Sequence, residues 1–319
     1  MENNWTFTCK RRCPDMPSRK MPSQERRQIF LECEDYTLRE ARDSVYEVPS
    51  YHFDNDCIDH VILRNCRDGK LVPNIIHYVW FGKREMNFYH FLAVMGVHKK
   101  QKPCLILFHS DYLPFGPYWE YLLELVPNII HVQFKPDTVI AGKRIKFVEH
   151  QADYARLKAI QRFGGIYADT DTIFLRSLDP LRNYNFTLSK AFDYNLSNGL
   201  ILSACNATFL KYWFKAYETY DPNKWGYHST IIPFKIWQSH LDEVGLIHVE
   251  EKTFVKPNGI DAPKQIFKEN YNWSHNYAIH MFIRFNRTVH NFKDIRYLNT
   301  TVGSVSRFIL LDNKELCEN

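Results

Sequence analysis

The stretch FGGIYADTDTIFL, Phe163 to Leu175, sets two carboxylates one residue apart inside an otherwise apolar run. An apolar segment that follows a glycine pair reads as a buried strand. On a strand, the side chains of residues i and i+2 point to the same side, so Asp169 and Asp171 are expected to project together. Two buried carboxylates repel each other and are costly to desolvate unless a cation lies between them. Hard oxygen ligands on one side, with other positions open, suit Mn2+ or Mg2+ completed by phosphate oxygens. The glycine pair is expected to let backbone and ligand approach closely. The stretch therefore reads as a metal–diphosphate site at the end of a sheet strand.

Working outward, FVEHQADYARLKAIQRFGG (Phe147–Gly165) is an amphipathic helix, with Ala152, Ala155, Ala159 and Phe163 on one face and two glycines at its end. Asp153 and Arg156 lie one turn apart and share a face. Arg156 can meet anionic oxygens or sugar hydroxyls, and Asp153 can accept from hydroxyls. On spacing alone, an intrahelical surface ion pair is the plainer alternative. Further upstream, VPNIIHYVWFG (Val72–Gly82), KPCLILFHSD (Lys102–Asp111) and NIIHVQF read as strands. Between them, NFYHFLAVMGVHKK and PYWEYLLELVP (Pro117–Pro127) read as helices. That alternation is the signature of an α/β sheet with parallel strands. A second aspartate pair, Asp54 and Asp56 in YHFDNDCIDH, has no glycine before it and reads as a solvated loop.

Residues 1 to about 70 are irregular and rich in charge, proline and cysteine, and read as a stem flanking a single catalytic domain over 71–319. Five of the eight cysteines fall there: Cys9, Cys13, Cys33, Cys57 and Cys66. They lack a paired CxxC zinc spacing, and Cys57–Cys66 is the easiest local disulfide, with reduced buried thiols as the alternative. Net charge is +5 with lysines and arginines dispersed, which excludes the basic blocks of a nucleic-acid protein and suits an anionic small molecule. No apolar run approaches the ~20 residues of a membrane span, and the N-terminus has no signal-peptide core. Yet Asn-x-Ser/Thr occurs at Asn4, Asn185, Asn195, Asn206, Asn272, Asn286 and Asn299, where about two such triplets are expected by chance. The surplus points to a secretory lumen such as the Golgi, reached through a membrane anchor that this sequence does not contain.

HQADYARLKAIQRFGGIYADTDTIFLRSLDPL resembles the DXD-containing sugar-transferase family, which includes α-1,6-mannosyltransferases, α-1,4-galactosyltransferases and α-1,4-N-acetylglucosaminyltransferases. The shared pattern is an aspartate and an arginine three apart in a helix, then Gly-Gly-x-Tyr-x-Asp-x-Asp. The resemblance spans Pro73 to the mid-200s. It implies a GT-A-like, Rossmann-type mixed sheet flanked by helices, a nucleotide-sugar donor (UDP ahead of GDP), Mn2+, and transfer with retention to a glycan, glycolipid or protein hydroxyl. By matching position, Asp169 and Asp171 serve metal, ribose and diphosphate, and Asp153 and Arg156 hold donor sugar or ribose. Arg156 also stabilises charge on the leaving group. Trp80 lies against the base, Asn198 and Gly199 lie near the donor sugar, and His280 reaches the metal. YHSTIIPFKIW replaces a Gly-Pro segment that many members carry, on the acceptor side.

Two rival readings remain. A catalytically degenerate domain of the same fold would bind carbohydrate or act as a scaffold. ADTDTIF also approximates the haloacid-dehalogenase phosphatase signature, but that chemistry needs a later pair of adjacent aspartates, which this sequence lacks.

Overall fold

A computed structural model describes residues 48–286 and 288–317 of the chain. Cys9, Cys13, Cys33 and Asn4 lie outside the described residues. Twelve strands occur among those described. They are β1 (Ser50–His52), β2 (Ile75–Trp80), β3 (Leu105–Ser110), β4 (Ile129–Gln133), β5 (Val139–Ile140), β6 (Lys143–Arg144), β7 (Gly165–Ala168), β8 (Thr172–Phe174), β9 (Phe186–Phe192), β10 (Asn195–Ser203), β11 (His248–Glu250) and β12 (Ala278–His280). The helices are α1 (Asp56–Asn65), α2 (Phe88–Gly96), α3 (Pro117–Leu125), α4 (Val148–Phe163), α5 (Thr208–Ala216), α6 (Ile232–Ser239), α7 (Ala262–Phe267) and α8 (Thr301–Leu310).

Eight strands form one mixed sheet in the order β1-β4-β3-β2-β7-β10-β9-β11. From β1 to β7 every neighbour is parallel, and β10 then runs antiparallel to both β7 and β9. This is the α/β architecture that the alternation of elements implied. β2 and β3 are buried at every residue, as strands covered on both faces must be, which is why they read as continuous apolar runs. Their side chains still alternate. Ile76, Tyr78 and Trp80 enter a core with α2, α3 and α8, while Val79 packs with residues of α4 and α5 on the other face.

Residues 50–66, within the segment read as a stem, supply an edge strand and a helix to this body. β1 pairs with β4, and α1 buries Ile58, Val61 and Ile62 against Ile75, Leu105 and Ile130. Cys66 is bonded to Cys104 and not to Cys57, because α1 separates the latter pair by about two and a half turns while its end abuts the start of β3. Cys57 is itself disulfide-bonded. Asp54 and Asp56 are exposed beside the N-terminus of α1 and pair loosely with Arg162, at 3.7 and 3.6 Å. Among the described residues, no helix is long and apolar enough to cross a membrane.

The expected single strand IYADTDTIFL is broken. β7 stops at Ala168, and residues 169–171 turn, with the Thr172 amide donating to the Asp169 carbonyl at 2.9 Å. β8 then leaves the main sheet and, among the described residues, pairs only with β12. The glycine pair also serves a different purpose from the one expected. Gly164 and Gly165 have φ of +63° and +103°, and they pack against protein. A Cβ on Gly165 would lie 2.5 Å from Ile75 Cγ1 and 2.8 Å from His77 Nε2.

His77 locks this junction. Its Nε2 lies 2.7 Å from the Gly164 carbonyl, which can only accept, so Nε2 carries the proton. Burial pushes the His77 pKa down to about 4, so the ring is neutral and its Nδ1 accepts from His109 Nε2 at 2.8 Å. Gly165→Ala should therefore cost about 2–3 kcal/mol through strain and overpacking. Thermal denaturation of the variant measures this, and an unchanged midpoint would contradict the packing described.

Candidate active site

Helix α4 and strand β7 are joined at the glycine turn, and this places Asp153 and Arg156 of the helix beside the turn that ends β7. Arg156 is almost fully buried. Its Nη2 pairs with Asp153 Oδ1 at 3.1 Å and its Nη1 with Asp169 Oδ1 at 3.0 Å. Nη1 also donates to the Asn198 carbonyl at 2.8 Å, and Nε to the Ala152 carbonyl at 3.2 Å. The guanidinium carbon sits 4.5 Å from the centre of the Tyr167 ring. Burial opposes its charge, but the carboxylates of Asp169 and Asp153 hold its pKa above the ordinary value. Arg156 is thus not a surface ion pair. Nor is it a free cation, because its donors already point at protein groups.

Asp153 is half-buried, and desolvation raises its pKa, with Arg156 partly offsetting the rise. It accepts from Asn198 Nδ2 at 2.7 Å. Asn198 and Gly199 lie within β10 opposite the end of β7, where the ladder to β9 is irregular between Ser197 and Leu202. They do not form a hairpin turn. The Gly199 carbonyl accepts from the Asp169 amide at 2.8 Å. A Cβ on Gly199 would stand 2.9 Å from Asp169 Oδ2 and 3.5 Å from His280 Nδ1, so only glycine leaves that carboxylate face open.

Asp171 lies across the turn. Its Oδ1 is 3.0 Å from His280 Nε2, and its Oδ2 accepts from the Ile283 amide at 3.0 Å. Its main-chain carbonyl accepts from the Met281 amide at 2.9 Å. Although burial opposes ionisation, His280 and the Ile283 amide hold the Asp171 pKa down to about 2. His280 Nε2 also stands 3.7 Å from Asp169 Oδ2. The two aspartates overcome desolvation and raise the His280 pKa above 6.5. One ligand atom from each of Asp169, Asp171 and His280 lies within 4.8 Å of the others. Two hard oxygens and one imidazole nitrogen, with an open face opposite Gly199, fit a divalent cation such as Mn2+ or Mg2+.

Seven of the eight residues singled out from the sequence, namely Asp153, Arg156, Asp169, Asp171, Asn198, Gly199 and His280, meet here. Trp80 does not present itself to a ligand. It is fully buried, with His90 edge-on at 5.0 Å and the Arg84 guanidinium carbon 4.4 Å from the ring centre. Sequence reasoning placed Tyr167 in the shared pattern but gave it no role; its hydroxyl donates to Asp169 Oδ1 at 2.6 Å. The signal was available, since Tyr167 stands two residues before Asp169.

Residues 83–187 match the family model described as a glycosyltransferase sugar-binding region containing DXD motif. Among curated proteins, glucan organizing enzyme 1 of Cryptococcus neoformans is 32% identical over 209 residues, covering 60% of this chain and 56% of that protein. An uncharacterized glycosyltransferase, L373, of Acanthamoeba polyphaga mimivirus is 26% identical over 149 residues, covering 46% of this chain and 55% of its own. The chain thus spans little more than half the length of these relatives. Among solved structures, PaToxG glycosyltransferase is 13% identical with a TM-score of 0.40, over 53% of this chain and 70% of that one. The galactosyltransferase LgtC with donor and acceptor sugar analogues is 13% identical with a TM-score of 0.38, over 76% and 98%. The matched family region holds Asp153, Arg156, Asp169 and Asp171, whereas Asn198, Gly199 and His280 join them from beyond it.

The shifted groups make the metal-free site pH-dependent in a definite direction. Asp171 is depressed, so its contribution is present above 3.8 and lost as pH falls through about 2. It amounts to about 2 kcal/mol. His280 is raised, so its contribution is complete below 6.5 and lost as pH rises through its folded value. With chelator present, an NMR titration of the His280 ring should give an apparent pKa above 6.5 that drops in Asp171→Asn. Equal values in the two proteins would contradict the pairing.

Proposed function

We propose that the chain is a metal-dependent glycosyltransferase. It moves a hexose or N-acetylhexosamine from a nucleotide sugar, UDP-linked ahead of GDP-linked, to a hydroxyl of a glycan, glycolipid or protein, with retention at the anomeric carbon. The observation that carries the reading is the cluster in which Asp169 and Asp171, in the turn after β7 within the matched sugar-binding region, meet His280 of β12. Those three residues would hold the cation, which when bound supplies positive charge against the diphosphate.

The remaining residues organise the donor. Asp153 and Asn198 offer an acceptor and an amide to sugar hydroxyls beside the open face at Gly199. Arg156 fixes Asp153 and Asp169 relative to each other, so it acts as a positioning residue. Retention needs no general base beside the acceptor hydroxyl, whose proton can pass to the departing diphosphate oxygens. The Cys66–Cys104 disulfide and the sequon surplus support a secretory compartment.

Calorimetry with UDP and with GDP, each in Mn2+ or EDTA, tests the donor site. One nucleotide should bind only with Mn2+, and Asp171→Asn should weaken that binding by more than about a hundredfold. Absence of binding by folded wild-type protein would overturn the reading. Once a donor is found, proton NMR of the first-formed product should show the anomeric configuration of the donor, and an inverted product would defeat retention.

A further inference from the structure

An aromatic surface joins the two walls of this site. Trp225 is 49% exposed, Phe147 40% and Phe285 62%. Trp225 packs edge-on against Phe147, with centroids 5.2 Å apart, and tilts over His150 at 5.4 Å. His150 stands one helical turn before Asp153 on α4. Both line a single pocket, together with the residues on either side of Trp225. The opposite wall is the loop after β12. There the Arg284 guanidinium carbon lies 5.6 Å from the Trp225 ring centre and 4.7 Å from that of Phe285. Arg284 directly follows Ile283, whose amide holds Asp171. Trp225 therefore touches both segments that fix the carboxylates of the site.

Exposed rings gathered at a cleft, with a few convergent polar groups, mark a ligand surface. His228, in the same pocket, is buried. A flat apolar platform bordered by Arg284 and the Asp153 carboxylate suits a neutral, hydroxyl-bearing ring, and the carboxylate disfavours a diphosphate there. The surface is continuous with the donor side through Asp153, but the donor reading uses none of its aromatic residues and not Arg284. We infer that Trp225, with Phe147 and Phe285, forms the acceptor subsite, where the apolar face of a pyranose ring stacks on the indole. Arg284 hydrogen-bonds its hydroxyls. The inference rests on the glycosyltransferase reading above.

The test is an oligosaccharide array probed with fluorescently labelled protein in Mn2+ and UDP, alongside calorimetry of UDP and GDP for each variant. Wild type should be retained on a defined set of saccharides. Trp225→Ala should lower that signal at least tenfold, Trp225→Tyr should keep most of it, and both should bind nucleotide as wild type does. Phe285→Ala, at a more exposed position, should give a smaller loss and serves where Trp225→Ala does not fold. Equal retention of Trp225→Ala, or no retention of nucleotide-binding wild type on any saccharide, overturns the subsite. A parallel loss of nucleotide affinity in Trp225→Ala also overturns it and moves the ring to the donor. Wild type that binds neither nucleotide fails differently, because that result removes the underlying transferase reading.

Discussion

A buried guanidinium must find its counter-charges inside the protein, and the site is arranged around that requirement. Arg156 takes partners from three elements: Asp153 on its own helix, Asp169 at the end of β7 and the Asn198 carbonyl on β10. An isolated buried cation would be several kcal/mol unfavourable, so the three elements are held wherever these bonds close. The same bonds orient the Asp169 carboxylate, whose Oδ1 also accepts from Tyr167 and whose Oδ2 is left toward His280. Arg156 thus sets the direction in which Asp169 presents its free oxygen.

The arginine can do this only because α4 and β7 meet at a fixed angle. Gly164 and Gly165 make that corner with backbone angles that other residues rarely adopt, and the close fit of Gly165 under Ile75 and His77 leaves no space for a side chain. The neutral His77–His109 pair reaches across β2 and β3 to hold the Gly164 carbonyl. The parallel half of the sheet is in this way connected to the site through a helix C-terminus that would otherwise carry an unsatisfied acceptor.

Much of this was legible in the sequence, for physical reasons. Strands buried on both faces must be apolar throughout, so β2 and β3 announced themselves, and the 3.6-residue period of α4 placed Asp153 beside Arg156. Paired carboxylates in an apolar run required a counter-charge, which pointed to Asp169 and Asp171. Three features were hidden. The period-2 rule carried the strand through the turn at 169–171, because nothing local in IYADTDTIFL marks a break. The partner of Cys66 could not be read, because its proximity to Cys104 comes from the packing of α1 on the sheet. The fate of Trp80 depended on which face of β2 meets α2, a tertiary fact.

The break after β7 has a further consequence. Asp169 closes a strand of the main sheet, Asp171 opens onto β8, and His280 ends β12, so the three candidate ligands are divided between two sheets. Their mutual distance gauges how those sheets are aligned. A slip of one residue between β8 and β12 would move His280 by about 3.3 Å and turn it to the opposite face. It would also detach the Met281 and Ile283 amides from Asp171. Hydrogen bonding and charge therefore enforce the same register, and the small ladder works as a vernier that sets the imidazole against the two carboxylates.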